Sequence, residues 1–463
     1  MNNSIRFSAG ATVNNVIGAA YFFNGADFAS LDVNGFVRAA NFGADANTAP
    51  LNLLISGRYS KLTTSVLNNG PVAVPGIELS GPGVNLSFGN SGNTADPFVL
   101  NGNPGTILKS GGGTSVVSGG TFATTINPQV TQAIRLNNSG QELILRADSA
   151  TDVLQFDLPL FNVSTLTKSG LGQVTFTAAN SYTGQTLINN GTILVTGNGV
   201  LGSATGAASV RLSGSASQTA TLTIDSPTAS IITGAAVNDA LRIGEGGTAV
   251  MNQSAGTVTG NQYVTLGENL GSMGTYNMSG GTLSVKNTNA NNPSLVVGRA
   301  GTGIFNLSGT AAISVLNGGQ VQLASGAANP GQFQGMVPNV GLSTGVGTIT
   351  QTGGSLTVAV NNAAYQSNIV GAVIIGVDGA GTYNLNGGTL TTPILARGNG
   401  TATFNLGGGT LKSPTAVASM PAFVLNTDLA MNLTGTGAGK GTIDTNGLFA
   451  LVFFTLSVPP LIL

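Results

Sequence analysis

Apolar and polar residues alternate in short runs along most of the chain, and Gly, Asn or Ser residues separate the runs. The clearest stretch, 166–196, holds three of these runs, at 173–177, 186–189 and 192–195. Runs of this length with a period of two, bounded by Gly and Asn turns, are typical of short β-strands. Because the turns are too short for a helix, the stretch predicts one coil of a β-solenoid or, alternatively, a meander of hairpins.

A looser repeat over 241–412 favours the solenoid. Its units begin with apolar-x-apolar-Gly, as at 241–244 and 264–267, and continue with Gly-Thr-aromatic-Asn-apolar, as at 274–278 and 381–385. Repetition at intervals of roughly twenty to thirty-five residues is typical of solenoids, in which units must stack to bury their apolar faces. We therefore expect the aromatic, Asn and Leu positions to align between coils, with each Asn bonding the backbone of the next coil inside a corner.

The stretch 166–196 also resembles the autotransporter-associated β-strand repeat of bacterial surface and secreted proteins. The matching elements are LTKSG at 166–170, GQVTF at 172–176, NSYTG at 180–184, Thr186, and INNGTI at 188–193. In related proteins this repeat lies in a right-handed parallel β-helix passenger, often upstream of a membrane-embedded translocator barrel. The resemblance therefore implies an all-β fold, a right-handed parallel β-helix with atypical capping segments at both ends. We find neither that barrel nor a signal peptide in the sequence, so we expect an incomplete or mature chain.

Changes in composition divide the chain into three segments. Residues 1–60 are dense in Phe and Tyr and are expected to cap the first coil, with an aromatic glycan-binding platform as the alternative. Residues 61–447 are expected to form the β-helix. The apolar segment 448–463 abandons the repeat and is too short to span a bilayer as a helix. We predict that it is an end cap or a contact strand to another subunit.

The composition narrows the chemistry that the chain can perform. Only 7% of the 463 residues are charged, the net charge is −1, and Cys, His and Trp are absent. The absence of Cys excludes disulfides and zinc–thiolate sites, and the absence of His removes the side chain most used for general acid–base catalysis. Without a basic stripe we expect no nucleic-acid partner, and no apolar run is long enough for a transmembrane helix. Hydrophobic residues still make up 41%, so the chain is expected to fold.

One dense cluster of charges is visible, formed by Glu142, Arg146, Asp148, Asp152 and Asp157. Paired carboxylates on adjacent coils would suit a polysaccharide-active site, and grouped carboxylates would suit a structural cation such as calcium. The simpler interpretation is a solvated loop and strand edge. We therefore assign no catalytic, cofactor-binding or metal-binding residue.

Two further motifs carry weaker alternatives. The KSGGGT run at 109–114 echoes the KSGLGQ run at 168–173, but a phosphate-binding loop has its Gly residues before the Lys, so nucleotide binding is not expected. The stretch 326–338 interrupts the repeat and is predicted to be a protruding loop, with a partner contact at this loop as an alternative.

These features predict a non-catalytic adhesin or structural rod, located extracellularly or on the bacterial outer surface, with a cell-surface or glycan ligand. One alternative is a subunit of a self-assembling extracellular filament or sheath, joined through the solenoid ends and residues 448–463. The other is a β-helical polysaccharide-active enzyme using Glu142, Asp148, Asp152 or Asp157.

Overall fold

The protein is described by a computed structural model in which all regular structure is β. The described residues are 15–457, except 18–19, 33, 35, 69–71, 89–97, 120–133, 137–140, 162, 181, 207, 237–238, 287–293, 327–344, 361–370, 416–423, 426–428, 436–439 and 447–455. None of these described residues is in a helix, and the strands are numbered in chain order. The chain forms two compact units, Met1–Ser203 and Ala204–Leu463.

The first unit begins with a small antiparallel sheet. Its strands are β1 (Phe22–Phe23), β2 (Asp27–Leu31) and β3 (Val37–Ala39), in the order β1-β2-β3. After it, Ala49 N–H donates to Tyr59 O at 2.8 Å, and an isolated parallel bridge joins Thr48 to Tyr59. The segment around Thr48 therefore lies beside the first strand of the solenoid.

Three parallel sheets form the three sides of the first unit. Sheet A contains β4 (Ser60–Leu62), β7 (Gly76–Ser80), β10 (Gly105–Ser110), β13 (Gln141–Ala147), β16 (Val163–Ser169) and β18 (Gln185–Ile188). Sheet B contains β5 (Val66–Asn68), β8 (Leu86–Phe88), β11 (Gly113–Gly119), β14 (Asp152–Phe156), β17 (Gln173–Phe176) and β19 (Gly191–Val195). Sheet C contains β6 (Val72–Val74), β9 (Phe98–Leu100), β12 (Ile134–Leu136) and β15 (Leu160–Phe161), and β20 (Val200–Gly202) closes the unit.

The second unit has the same three-sided plan. Sheet D contains β21 (Val210–Leu212), β24 (Ala240–Ile243), β27 (Tyr263–Leu266), β30 (Leu295–Val297), β33 (Gln320–Leu323), β35 (Ala372–Ile375), β37 (Ile394–Arg397) and β40 (Val424–Leu425). Sheet E contains β22 (Thr219–Ile224), β25 (Thr248–Gln253), β28 (Met273–Met278), β31 (Thr302–Leu307), β38 (Thr401–Leu406), β41 (Met431–Leu433) and β43 (Leu456–Ser457). Sheet F contains β23 (Ser230–Ile232), β26 (Thr257–Gly260), β29 (Thr282–Lys286), β32 (Ala312–Leu316), β39 (Thr410–Lys412) and β42 (Thr442–Asp444). The long strands β34 (Val346–Val358) and β36 (Ala380–Thr391) turn the corner and contribute to both E and F.

Strands pair in parallel with the equivalent strands of the coils before and after, which confirms the parallel β-helix and rules out the hairpin meander. The aromatic position of the repeat illustrates the register, because Tyr276 pairs with Phe305 and Tyr383 with Phe404. All four rings are fully buried, with ring centroids 4.7 Å and 5.6 Å apart in the two pairs. Stacked apolar rows thus fill the interior, and each fully buried large side chain contributes about 1.5–3 kcal/mol of transfer free energy.

The prediction that 166–196 forms one coil is wrong in its extent. Strand β16 pairs with β18 and β17 pairs with β19, so Lys168 lies opposite Ile188 and Val174 opposite Ile193. The stretch therefore covers parts of two successive coils. The physical reason is that two turns beside Gly170 and Gly191, both with positive φ, let about twenty residues complete one circuit.

The expected alignment of the Asn positions is confirmed, but their bonding differs from the expectation. Asn277 pairs with Asn306, and Asn384 pairs with Asn405, within the strands of sheet E. These residues are half-buried on the outer face of the strands, and their side-chain amides bond to one another. Because the Asn follows the inward aromatic by one residue, the pleat places it outside.

Candidate functional site

The repeat at 166–195 is built around a buried lysine at the corner between sheets A and B. Lys168 is fully buried, and its Nζ donates to the carbonyl oxygens of Ser169, Gly170 and Asn190 at 2.8–2.9 Å. The last of these carbonyls belongs to the following coil. Burial, with a smaller contribution from Arg146, lowers the pKa of Lys168 to about 7. The KSG element therefore joins two coils by placing a cation among corner carbonyls.

Asn180 and Tyr182 lie on the third side of the coil. Among the described residues this side has no named strand between β17 and β18, and Ala179 makes only an isolated bridge to Val200. Asn180 Oδ1 accepts from Leu160 N–H at 2.9 Å, and its Nδ2 donates to Val200 O at 2.8 Å. The Tyr182 ring is buried, and its hydroxyl lies 2.6 Å from Thr186 Oγ1. One side-chain amide thus replaces the ladder hydrogen bonds of a strand.

The echo of this motif at 109–114 has the same structure. Lys109 is fully buried, and its Nζ donates to Gly81 O, Ser110 O and Gly112 O at 2.6–3.0 Å. Asp152 lies 3.4 Å away and also accepts from Gly112 N–H at 2.7 Å. Burial lowers the pKa of Lys109, while the Asp152 carboxylate opposes that shift. Because the ammonium is enclosed, it is not placed to receive a phosphate group.

The remaining acids of the predicted cluster take separate partners. Glu142 accepts from Thr167 Oγ1 at 2.5 Å, Asp148 pairs with Arg146 at 2.5 Å, and Asp157 accepts from Thr177 Oγ1 at 2.7 Å. Within the described ranges, no three acidic side chains gather in a way that could hold a metal ion. Glu142 and Asp148 lie at opposite ends of β13, and Asp152 and Asp157 lie at opposite ends of β14, beyond a corner. Their closeness in sequence therefore does not bring the carboxylates into one site.

The aromatic residues of the N-terminal segment are largely used in packing. Phe28 is fully buried, with its ring centroid 5.1 Å from that of Tyr59, and both belong to a core cluster with Leu108 of sheet A. Phe22 and Phe42 pack against the same cluster. These side chains therefore do not form the flat, exposed surface that an aromatic glycan platform requires.

A charged ladder in the second unit was missed by sequence reasoning. Arg211 bonds both carboxylate oxygens of Glu245 at 2.5–2.8 Å, and Glu268 pairs with Arg299. Arg242 lies between the two carboxylates, with its guanidinium donating to Tyr263 Oη at 2.6 Å. The available signal was the residue after the corner Gly, which is Glu245, Glu268 or Arg299 in successive units.

The outer face of sheet E has the opposite character, because its described strands carry no charged side chain from Thr248 to Asn432. Three outward columns run across the coils. They are Thr248, Met273, Thr302, Val346, Ala380 and Thr401; Val250, Thr275, Ile304, Thr348, Thr382 and Thr403; and Asn252, Asn277, Asn306, Thr350, Asn384, Asn405 and Asn432. The amide ladder bonds at 2.6–2.9 Å between neighbouring Asn residues. The Asn column therefore presents polar groups at nearly every coil, the other two columns mix Thr with apolar side chains, and none of the three carries a charge.

Two predicted contact segments cannot be placed on this framework. Nearly all of 326–338 and, apart from β43, residues 448–463 lie outside the described residues. In the part of the chain that the structure describes, no helix combines the length and hydropathy needed to cross a membrane.

Comparison with known proteins identifies the repeat. Residues 166–195 match the family model of the passenger-associated-transport-repeat. No curated protein and no solved structure matches the chain. The chain thus contains one passenger-associated-transport-repeat within a parallel β-solenoid, and this repeat covers parts of two successive coils.

Proposed function

We propose that the chain is a non-catalytic adhesin or structural rod, secreted or displayed on the bacterial outer surface. The observation that carries the proposal is the uncharged outer face of sheet E, which spans successive coils with one Asn-rich column and two columns of Thr and apolar residues. Its ligand is an extended, uncharged partner such as a neutral polysaccharide, because repeated hydroxyl and amide groups form hydrogen bonds without needing a charge partner. The passenger-type repeat at 166–195 supports the location.

Binding of the purified chain to intact cells and to immobilised neutral polysaccharides tests this role. A variant with Thr275→Lys, Thr348→Lys and Thr403→Lys places charges on alternate coils of the outer face of sheet E. The control places the same number of lysines on the outer face of sheet F, with Ser284→Lys, Thr357→Lys and Thr410→Lys. We expect only the first variant to lose binding. Equal losses in both variants, or no binding by the unmodified chain, would contradict the proposal.

A filament subunit is the second candidate, favoured by the position of β43. Leu456–Ser457, within the apolar segment 448–463, pairs in parallel with Met431–Asn432 and is the last described strand of sheet E. An edge strand can add a strand from another copy of the chain. Sedimentation and electron microscopy across a concentration series should show fibres from the full chain and none after removal of 448–463. A full chain that stays monomeric at every concentration excludes this candidate.

A further inference from the structure

A lysine and two carboxylates meet where the N-terminal sheet contacts sheet A. Lys61 on β4 lies directly opposite Glu78 on β7, with Nζ 2.7 Å from Glu78 Oε1. Asp27, at the start of β2, reaches the same ammonium with Oδ1 at 2.5 Å. The two carboxylates thus hold the amine from two different sheets.

One carboxyl of this group is shielded from solvent. Glu78 is fully buried, its Oε1 also accepts from Ser110 Oγ at 3.1 Å, and its Oε2 has no hydrogen-bond partner among the described residues. The Phe42 ring centroid lies 5.9 Å from Lys61 Nζ, and the side chains of Lys61 and Asp27 are 19% and 31% exposed. A buried carboxyl beside an amine, with one oxygen free of hydrogen bonds, can pass protons between that amine and a neighbouring group.

The protonation states are compatible with such a relay. Burial raises the pKa of Glu78 to about 7, although the Lys61 ammonium opposes the shift. At neutral pH this carboxyl therefore carries a proton for a large fraction of the time. Burial lowers the pKa of Lys61, but Glu78 and Asp27 outweigh that effect and the net shift is upward. The Lys61 ammonium thus lies beside a Glu78 carboxyl that is protonated for part of the time at neutral pH.

We propose that Lys61 and Asp27 condense into an isopeptide bond, with Glu78 as the catalytic acid–base. The ammonium gives one proton to an Asp27 oxygen, and the freed Nζ lone pair attacks Asp27 Cγ. Glu78 gives its proton to the leaving Asp27 oxygen as the Cγ–O bond breaks, and the resulting Glu78 carboxylate then takes a proton from Nζ. The products are one amide and one water, Glu78 ends as it began, and no oxidant or reductant is needed. The bond ties the N-terminal sheet to the first strand of sheet A.

Intact-mass spectrometry of the purified chain tests the bond. The unmodified chain should be lighter than its sequence mass by one water. A tryptic digest should contain peptide 7–38 joined to peptide 59–109, since the amide blocks cleavage after Lys61. Lys61→Arg, Asp27→Ala and Glu78→Gln should each restore the full mass, and Glu78→Gln does so with both joined residues still present. The exposed Lys412–Asp444 pair, at 3.1 Å, is the internal control and should remain unlinked.

Two results would overturn the proposal. One is a chain of full sequence mass whose circular dichroism shows the β fold. The other is a loss of water that persists in Lys61→Arg, which would assign the dehydration to a different group, such as an aspartimide at Asp378-Gly379.

Discussion

Two buried tyrosines of the second unit find their hydrogen-bond partner on the preceding coil. Tyr276 Oη donates to Gln253 Oε1 at 2.5 Å, and Tyr383 Oη donates to Gln351 Oε1 at 2.7 Å. Where Phe305 and Phe404 replace the tyrosine, the residue equivalent to this Gln on the preceding coil is Met278 or Leu385. Residue choice at the inner positions is thus coupled between neighbouring coils, because a buried hydroxyl without a partner is costly.

This coupling predicts the outcome of a double-mutant cycle at Gln351 and Tyr383. Gln351→Leu leaves the buried Tyr383 hydroxyl without its acceptor and should lower the free energy of unfolding by about 1–3 kcal/mol. Adding Tyr383→Phe should recover the part of the loss that comes from the unpartnered hydroxyl, since the pair then resembles Leu385 and Phe404, while the Gln351 Nε2 bonds to Gly354 O and Thr389 O stay lost. Chemical denaturation measures the stability of the single and the double variant. Met278→Leu is the control, because the aromatic residue on the following coil is Phe305, which has no hydroxyl. A double variant as unstable as Gln351→Leu alone would argue against the coupling.

Lys168 gives a prediction for the dependence of stability on pH. Its pKa in the folded chain is about 7, below the ordinary value of 10.5. Between these two values the unfolded chain binds more protons, so this residue makes the free energy of unfolding rise with pH. Denaturation of the unmodified chain and of Lys168→Met should therefore give a difference that grows in favour of the unmodified chain over that interval. The exposed Lys412→Met is the control. A constant difference would show that Lys168 stays charged throughout.

At the scale of the element, a column of glycines allows the corner after four strands of sheet D, namely β24, β27, β30 and β35. Gly244, Gly267, Gly298 and Gly376 all have φ between 62° and 73°. A Cβ at Gly267 would lie 2.3 Å from Thr302 O on the next coil. Gly at these four corners therefore suits both the left-handed backbone and the close approach of the neighbouring strand, while Ser213 and Ala324 adopt the same positive φ after β21 and β33.

A pair of glycine substitutions separates these two reasons. Gly267→Ala should cost more than about 1 kcal/mol of stability, since it adds a backbone clash to an unfavourable φ. Gly271→Ala has a similar φ of 79° but meets nothing within 4 Å, so it should cost less. Thermal or denaturant unfolding measures the difference. Equal losses would mean that the backbone conformation alone selects glycine.

The sequence predicted elements far better than it predicted sites. The apolar-x-apolar-Gly units located β24, β27 and β30 because inward residues of a strand follow a period of two. That period also places Lys168 on the same inward face as Leu166. The charge of a lysine would instead favour the surface, and only the corner carbonyls explain why Lys168 is buried. The group of Asp27, Lys61 and Glu78 was beyond sequence reasoning, since it depends on where the N-terminal sheet packs.

At the scale of the whole molecule, the few charges are largely used in contacts within a unit. The ladder from Arg211 to Arg299 and the pairs of Lys61 and Lys109 each neutralise their partners locally. With a net charge of −1, the chain has little long-range field to steer or hold a charged ligand. Contact through sheet E would instead depend on hydrogen bonds and buried area, which salt screens weakly.

Binding measured at increasing salt therefore discriminates between mechanisms of adhesion. Raising ionic strength from about 0.05 M to about 0.5 M shortens the screening length several-fold and would strongly weaken binding through exposed charges. We expect the affinity of the chain for cells or neutral polysaccharide to change less than about twofold, because the outer face of sheet E carries no charge in its described strands. The control is the variant with Thr275→Lys, Thr348→Lys and Thr403→Lys, whose residual binding to anionic surfaces should become salt-sensitive. A steep loss for the unmodified chain would place the contact on its charged residues and away from this face.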